Sequence, residues 1–154
     1  MQHKLSNLFV RSTDKIKTVL ERISSVKTQN TNIPPGVALV VDASHKLLGI
    51  VTNGDIRRAF ENGVTVDQPI SKAMNKNPSV IKQSEQGGDL LSLIFNKMKE
   101  GKWPKDRLER ILVVDDNHRV LDMVSFYDLV RHSDVRFKHI AVVGLGYVGL
   151  TLGL

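Results

Sequence analysis

The feature that most constrains the fold of this 154-residue chain is an internal repeat. Residues 40–58 read VVDASHKLLGIVTNGDIRR and residues 113–131 read VVDDNHRVLDMVSFYDLVR, and the two align without a gap at an offset of 73. Eight of the 19 aligned positions are identical, whereas average composition would give about one by chance. The identical pairs are Val40/Val113, Val41/Val114, Asp42/Asp115, His45/His118, Leu48/Leu121, Val51/Val124, Asp55/Asp128 and Arg58/Arg131. A tandem duplication of one supersecondary unit is therefore predicted.

The spacing of apolar residues predicts the same elements in both copies: a short strand, a helix, two strands joined by a turn, and a short helix. In the first copy they are predicted at 8–10, 16–26, 37–41, 47–52 and 55–61. In the second copy they are predicted at 79–82, 90–98, 111–114, 120–125 and 127–132. Asn53-Gly54 is predicted to end the strand before the last helix of the first copy, and residues 64–78, with Pro69 and Pro78, to form an irregular connector.

A single unit of this size is too small to bury both a sheet face and its helices. The chain is therefore predicted to be an α/β protein in which two β-α-β-β-α repeats pack sheet to sheet around one core. Two equivalent repeats imply a pseudo-twofold axis, with paired clefts where equivalent loops face each other.

The charge of the chain favours anionic partners. Lys and Arg number 22 against 16 Asp and Glu, which gives a net charge of +6 and a pI near 9.7. The basic residues are dispersed, however, and the densest segment, 97–110, has six basic and three acidic residues with Trp103 as its one aromatic. Without aromatic side chains interleaved among the cations, a nucleic-acid surface is not expected.

Several kinds of chemistry are not expected from the composition. The chain has no Cys, which excludes disulfides, thiolate metal sites and a Cys nucleophile. The five His residues share no metal-ligand spacing, so no metal site is predicted. No catalytic group of side chains is recognisable either. Because no apolar run is long enough for a signal peptide or a membrane span, a cytoplasmic protein is expected.

The repeated pattern of two apolar residues, Val-Asp, a turn and Leu-Gly-apolar-apolar-Thr-x-x-Asp resembles a CBS domain. Two copies in tandem resemble a CBS pair, or Bateman module, with repeats at 5–73 and 74–133. The stretch LLGIVTNGDIRRAF is similar to CBS pairs attached to sugar-nucleotide-processing enzymes. The resemblance implies a regulatory module, not an enzyme, that binds an adenosine nucleotide (AMP, ADP or ATP), needs no other cofactor and forms a homodimer.

Three side chains after the second hairpin strand suit a nucleotide. The Thr52 hydroxyl can donate to a phosphate oxygen, and the Asp55 carboxylate can accept from a ribose diol. Arg58, one helical turn further on, can make charge-assisted contacts to phosphate. By position in the repeat, Ser125, Asp128 and Arg131 would bind ligand in the same way. The backbone near 77–80 and near the start of Val37–Val41 would by analogy border the adenine.

Thr-x-x-Asp before an apolar segment has a second interpretation, since it is also the pattern of a helix capping box. On this alternative Thr52 and Asp55 satisfy the first N–H groups of a helix. In the second copy Asp122 replaces Gly49, and Phe126-Tyr127 replaces Asn53-Gly54. The added carboxylate and bulky side chains would hinder phosphate, so one occupied and one degenerate site are expected.

The C-terminal residues 136–154 have a different character. An apolar run at 140–143 precedes Gly144, Gly146 and Gly149 in the spacing G-x-G-x-x-G, which opens dinucleotide-binding folds. GLGYVGL resembles the start of UDP-glucose/GDP-mannose dehydrogenases. Only five residues follow Gly149, so these glycines would bind cofactor only in a complete domain. The tail is expected to be either the start of such a domain or a remnant that packs on the module.

The sequence thus predicts a nucleotide-binding CBS pair that controls an attached or partner sugar-nucleotide enzyme. One alternative is an N-terminal fragment of a nucleotide-sugar dehydrogenase, which NAD binding would support. Another is a structural dimerisation module whose clefts bind nothing.

Overall fold

The structure, a computed structural model, describes residues 5–25, 35–86, 90–101, 103, 110–125 and 129. The strands and helices in chain order are β1 (Phe9–Val10), α1 (Ile16–Ser25), β2 (Val37–Val41), β3 (Leu47–Thr52), α2 (Asn53–Glu61), β4 (Val80–Lys82), α3 (Leu90–Lys99), β5 (Ile111–Val114) and β6 (Val120–Val124). Short 3-10 turns lie at Ser6–Leu8, Ile70–Lys72 and Gln83–Gln86. The predicted last helix at 127–132, except Leu129, and the glycine-rich tail lie outside the described residues.

The strands form two three-stranded sheets of the same design, ordered β1-β2-β3 and β4-β5-β6. In each sheet the first strand runs parallel to the second, and the second is antiparallel to the third. The register also repeats. Phe9 pairs with Leu39 in the first sheet, and Val80 pairs with Leu112, the residue aligned with Leu39, in the second. Both hairpins carry a bulge at the same place, between Val40 and Val41 and between Val113 and Val114.

One hydrophobic cluster joins the two sheets. It contains buried side chains from both, namely Leu5, Leu8, Val37, Leu39, Leu47, Ile50, Leu112, Val114, Val120 and Met123. Leu39 at the centre of β2 and Leu112 in β5 are fully buried there. Neither sheet face would be covered without the other, so the predicted α/β fold of repeats packed sheet to sheet is confirmed.

Helices cover the outer face of each sheet. On the first sheet, α1 contributes Ile16 and Val19, which pack with Val40 and Val51 of the hairpin. These α1 residues lie three apart, as an amphipathic helix on a sheet requires. On the second sheet, Ile94 of α3 packs with neighbouring buried apolar side chains in the same way. Among the described residues no helix has the length and apolar character needed to cross a membrane.

The two hairpin turns are nearly identical in conformation. His45 and His118 both have a left-handed backbone, with φ of 62° and 64°. The N–H of each donates to the carbonyl of the aspartate three residues earlier, Asp42 in one repeat and Asp115 in the other. The Asp42 carboxylate also accepts the N–H groups of Ser44 and Lys46, and the Asp115 carboxylate accepts the N–H of Arg119. Short polar side chains that cap their own turn explain why both copies keep an Asp there.

The connector differs from its prediction in being partly ordered by the first repeat. Asn75 and Ile50 exchange main-chain hydrogen bonds of 2.8 and 3.0 Å, so the connector pairs with β3. A Cβ atom at Gly49 would lie 2.6 Å from the Asn75 carbonyl oxygen, which explains why this strand position lacks a side chain. Earlier in the connector, the N–H of Ile70 donates to the Asp14 carbonyl at the start of α1.

Candidate functional site

The junction between β3 and α2 brings Thr52 and Asp55 together. Thr52 ends the strand in an extended conformation and is the N-cap of α2, which begins at Asn53, two residues earlier than predicted. Its hydroxyl accepts the Asp55 N–H at 3.2 Å and donates to Asp55 Oδ2 at 2.7 Å. Asp55 Oδ2 also accepts the Thr52 N–H at 2.9 Å. The junction is therefore a complete capping box.

Arg58 completes this group of side chains. Its Nη2 lies 2.5 Å from Asp55 Oδ1, the carboxylate oxygen that takes no part in the capping box. The Asp55 side chain is 16% exposed and the Arg58 side chain 56% exposed. The structure thus places the three predicted site residues of the first copy in one hydrogen-bonded network, with the arginine on its solvent side.

The start of β2 lies against the same junction. Val37 pairs with Thr52, and the Asn53 N–H donates to the Gly36 carbonyl at 3.2 Å. Gly36 has φ of 74°, and a Cβ atom there would lie 2.8 Å from Nδ2 of the Asn53 side chain. Gly36 and Asn53 are therefore structural neighbours of the site that the sequence did not identify, although the sequence Pro34-Pro35-Gly36 predicts a loop.

In the second copy, Ser125 is the predicted site residue that the described part of the chain includes. Ser125 follows β6, and its carbonyl accepts the Leu129 N–H at 3.1 Å, as expected at the start of a helix. Asp128 and Arg131 lie outside the described residues. Asp122, which replaces Gly49, accepts the Met123 N–H on its own side chain. The expected difference between an occupied and a degenerate cleft stays a prediction.

A surface cleft of about 200 Å³ lies elsewhere, at the other end of the first sheet. It is lined by Phe9, Val10, Arg11, Asp14, Arg22, Val41 and His45. Val41 pairs with Leu47 at the turn end of the hairpin, whereas Thr52 pairs with Val37 at the opposite end. The cleft therefore does not coincide with the predicted site, and the chemistry at Thr52 locates the candidate site better than cavity size does.

The arginines of this cleft hold the backbone. Arg22 of α1 donates to the Phe9 carbonyl at 2.6 Å, and Arg11 donates to the Asp42 carbonyl. Hydrogen bonds from the Lys46 N–H and the Ser44 N–H, with Lys46 and Arg11 charges nearby, hold the pKa of Asp42 below its ordinary value despite some desolvation. These contacts tie the helix and the turn to the sheet. Within the described part of the chain, no three His, Asp or Glu side chains are grouped to hold a metal ion.

A comparison with protein families decides what this fold is. Residues 4–62 match the family model of the CBS domain. Residues 4–62 form a CBS domain. Thr52, Asp55 and Arg58 all lie within the matched residues, so the capping-box junction belongs to the CBS domain and not to the connector.

A sequence relative carries this CBS region as a smaller part of its length. Arabinose 5-phosphate isomerase KdsD of Francisella tularensis is 32% identical over 123 residues, which are 79% of this chain and 32% of the isomerase. The chain thus spans about a third of that relative. The predicted resemblance of the tail to a nucleotide-sugar dehydrogenase receives no support from the comparisons.

Solved structures share the fold over most of the chain. The cytosolic domain of the Mg²⁺ channel MgtE in complex with ATP aligns with a TM-score of 0.59 and 16% identity, over 80% of this chain and 44% of that one. CBSX2 in complex with AMP aligns with a TM-score of 0.55 and 19% identity, over 82% of this chain and 87% of that one. At these identities the likeness concerns the fold, and it extends well beyond residues 4–62.

Proposed function

We propose that this chain is a regulatory CBS pair that binds an adenosine nucleotide (AMP, ADP or ATP) at the junction between β3 and α2. The observation that carries the proposal is the network of Thr52, Asp55 and Arg58, in which a hydroxyl, a carboxylate and a guanidinium meet at one helix start. These groups match the phosphate and the ribose diol of a nucleotide. The structures of MgtE with ATP and CBSX2 with AMP support a nucleotide on this fold.

In the proposed complex Thr52 donates to phosphate, Asp55 accepts from the ribose and Arg58 contacts phosphate. Ser125, Asp128 and Arg131 take these roles in the second cleft. The two repeats of the proposed pair are residues 5–73 and 74–133. The second cleft binds the nucleotide more weakly than the first. Gly36, whose carbonyl accepts from Asn53, supports the start of β2 where the adenine would lie.

The proposed mechanism is a shift between two orientations of the repeats. Because one core joins both sheets, a ligand that contacts both repeats would favour one orientation over the other. A sugar-nucleotide enzyme, attached to this module or bound to it, would respond to that change in a cytoplasmic homodimer. Similarity to a sugar-phosphate isomerase supports a link to carbohydrate-processing enzymes. The module itself carries out no reaction in this proposal.

A structural dimerisation module is the second candidate, and one observation favours it. The capping box satisfies Thr52 and Asp55 entirely within the protein, so neither side chain requires a ligand to explain its presence. Under this candidate, substitutions at the junction change the stability of the fold and nothing else.

Isothermal titration with AMP, ADP and ATP tests the proposal, with NAD and a UDP-sugar as comparators. Asp55→Ala should abolish the tighter binding of the adenosine nucleotide, whereas Asp128→Ala should remove only the weaker site. Asp67→Asn is a matched control, since it removes a 73%-exposed carboxylate that pairs with Lys15 elsewhere. Thermal melts of each variant separate loss of the cap from loss of the ligand contact. If the wild-type protein gives no heat with any adenosine nucleotide, the proposal is wrong and the structural dimerisation module is favoured. Binding of NAD alone would favour the dehydrogenase alternative.

A further inference from the structure

Arg58 occupies the part of Asp55 that a ribose would need. Asp55 Oδ2 is engaged by both the Thr52 N–H and the Thr52 hydroxyl, at 2.9 and 2.7 Å. Asp55 Oδ1 contacts Arg58 Nη2. A ribose diol that donates both hydroxyls to Asp55 without breaking the helix cap needs both acceptor positions of Oδ1, and the guanidinium occupies one of them.

We propose that Arg58 is a specificity-determining residue that makes this site select phosphorylated over unphosphorylated adenosine. The inference rests on the proposed nucleotide site and goes beyond it by giving Arg58 two alternative partners. When ribose binds Asp55, the arginine loses its anionic partner. A nucleotide supplies a phosphate as a replacement, so charge stays paired throughout. A nucleoside supplies no anion and leaves the guanidinium without a partner, so its binding is opposed.

The position of the guanidinium makes this exchange a short movement. Arg58 Nη1 lies 3.6 Å from the point where a Cβ atom at Gly54 would be, so the guanidinium lies across the first turn of α2. The same point is 3.6 Å from the Thr52 hydroxyl, which is proposed to contact phosphate. A phosphate beside Thr52 would therefore be within reach of a small rotation of the Arg58 side chain, which is 56% exposed.

A Cβ atom at Gly54 would make only ordinary contacts of 3.6 Å, but a larger side chain there would enter the space of the guanidinium. In the second copy the aligned residue is Tyr127. An aromatic ring at that position would compete with the arginine for the same space, so phosphate selection is expected from the first cleft only.

The neighbouring arginine provides a matched control. Arg57 lies on the same helix with its side chain 76% exposed. Its partner is Glu61 and not Asp55, with Arg57 Nε 3.8 Å from Glu61 Oε1. Substitution of either arginine by glutamine removes one positive charge from the same turn of α2. Only Arg58→Gln removes the partner of Asp55.

Titration of wild type, Arg58→Gln and Arg57→Gln with AMP and with adenosine tests the inference. Arg58→Gln should weaken AMP binding about tenfold and strengthen adenosine binding severalfold, so the preference for AMP falls by more than tenfold. Arg57→Gln should keep the wild-type preference, and Arg58→Lys should retain part of it as a point charge.

The failures of the two proposals are distinguishable. If wild type binds none of AMP, ADP, ATP and adenosine, the proposed function fails and this inference falls with it. If wild type binds AMP but Arg58→Gln weakens the binding of AMP and of adenosine equally, Arg58 acts only on the shape of the site. The inference that Arg58 selects phosphorylated adenosine would then be wrong. Unchanged AMP binding in Arg58→Gln would also overturn it. Thermal melts confirm that each variant is folded.

Discussion

Lys46 and Arg119, which occupy the same position in the two repeats, form an antiparallel bridge with each other. Beside this bridge, the Leu47 N–H donates to the His118 carbonyl at 2.9 Å. Antiparallel pairing of equivalent residues places a local twofold axis between them, so the repeats meet at the tips of their hairpins. Equivalent substitutions in the two repeats therefore act as internal controls for each other.

Replacement of the two turn histidines by glycine should stabilise the fold unequally. Both have φ above 60°, a conformation that costs a side-chain-bearing residue about 1–2 kcal/mol and glycine far less, partly offset by the greater freedom of glycine in the unfolded chain. His118→Gly should raise the free energy of unfolding by up to about 1 kcal/mol. His45→Gly should raise it less, because the His45 ring also packs against the Phe9 ring, with the ring centroids 5.7 Å apart. Urea denaturation measures both, and equal gains would show that the ring contact contributes nothing.

Gly49→Ala should destabilise the protein, because the new Cβ atom would lie 2.6 Å from the Asn75 carbonyl and push the connector from β3. A loss of about 1–3 kcal/mol is expected in the free energy of unfolding. Gly54→Ala is the control, since its Cβ would meet only ordinary contacts of 3.6 Å in helix α2. That variant should be neutral or slightly stabilising. Similar losses in both would contradict the role assigned to the connector.

Thr52→Ala should remove one half of the capping box and cost about 0.5–2 kcal/mol of stability. Thr52→Ser keeps the hydroxyl that accepts the Asp55 N–H, so most of the stability should remain. Thermal or chemical denaturation of the two variants gives the difference. A serine variant as unstable as the alanine variant would assign the effect to the lost methyl group and not to the cap.

Leu39→Ala should destabilise both repeats together, because Leu39 lies in the cluster that the two sheets share. The expected loss is about 2–5 kcal/mol, and unfolding should remain a single transition. Amide hydrogen exchange should also speed up in β5, where Leu112 donates to the Ser79 carbonyl. Leu48→Ala provides the comparison, since Leu48 is 39% exposed in the next strand. Faster exchange confined to the first sheet would mean that the repeats unfold separately.

Acid should weaken the fold partly through Asp42 and Glu85. The Lys82 N–H and then Lys97 lower the pKa of Glu85 from its ordinary 4.5, and the Lys46 N–H above all lowers the pKa of Asp42 from 3.8. A lowered folded-state pKa stabilises the fold above the unfolded value, and this contribution disappears as pH falls through the folded value. As pH falls below the ordinary values of 4.5 and 3.8, Glu85→Gln or Asp42→Asn should therefore flatten the decline in stability. An unchanged decline in both variants would exclude these carboxylates as its source.

Much of the fold could be predicted because two periodic signals agreed. The repeat gave the number of units, and the spacing of Ile16, Val19 and Ile23 gave the buried face of α1. The start of α2 was predicted two residues late, because Asn53-Gly54 is a common breaker. At the first helical positions these residues are tolerated, since their N–H groups have no partner inside the helix. The pairing of Asn75 with Ile50 had no periodic signal to predict it.

The candidate site was predictable as a set of residues but not as a network. The spacing of Thr52 and Asp55 by itself favours a cap and the family resemblance favours a ligand, so the sequence could not separate the two functions. The approach of Arg58 to Asp55 follows from helical spacing only after the helix start is known. The cleft that contains Arg11, Arg22 and His45 escaped prediction because the chain brings these residues together only through the β1-α1-β2 crossover.

The pairing of the connector with β3 has a consequence for the behaviour of this protein at high concentration. A strand at the border of a sheet presents unpaired main-chain groups that can recruit another molecule and start aggregation. On the first sheet, Asn75 takes up the main-chain groups of Ile50 on that border. On β6, Asp122 places a negative charge at the position of Gly49. Within the described residues the two repeats thus differ at equivalent borders, since one is covered by main-chain hydrogen bonds and the other carries a negatively charged side chain.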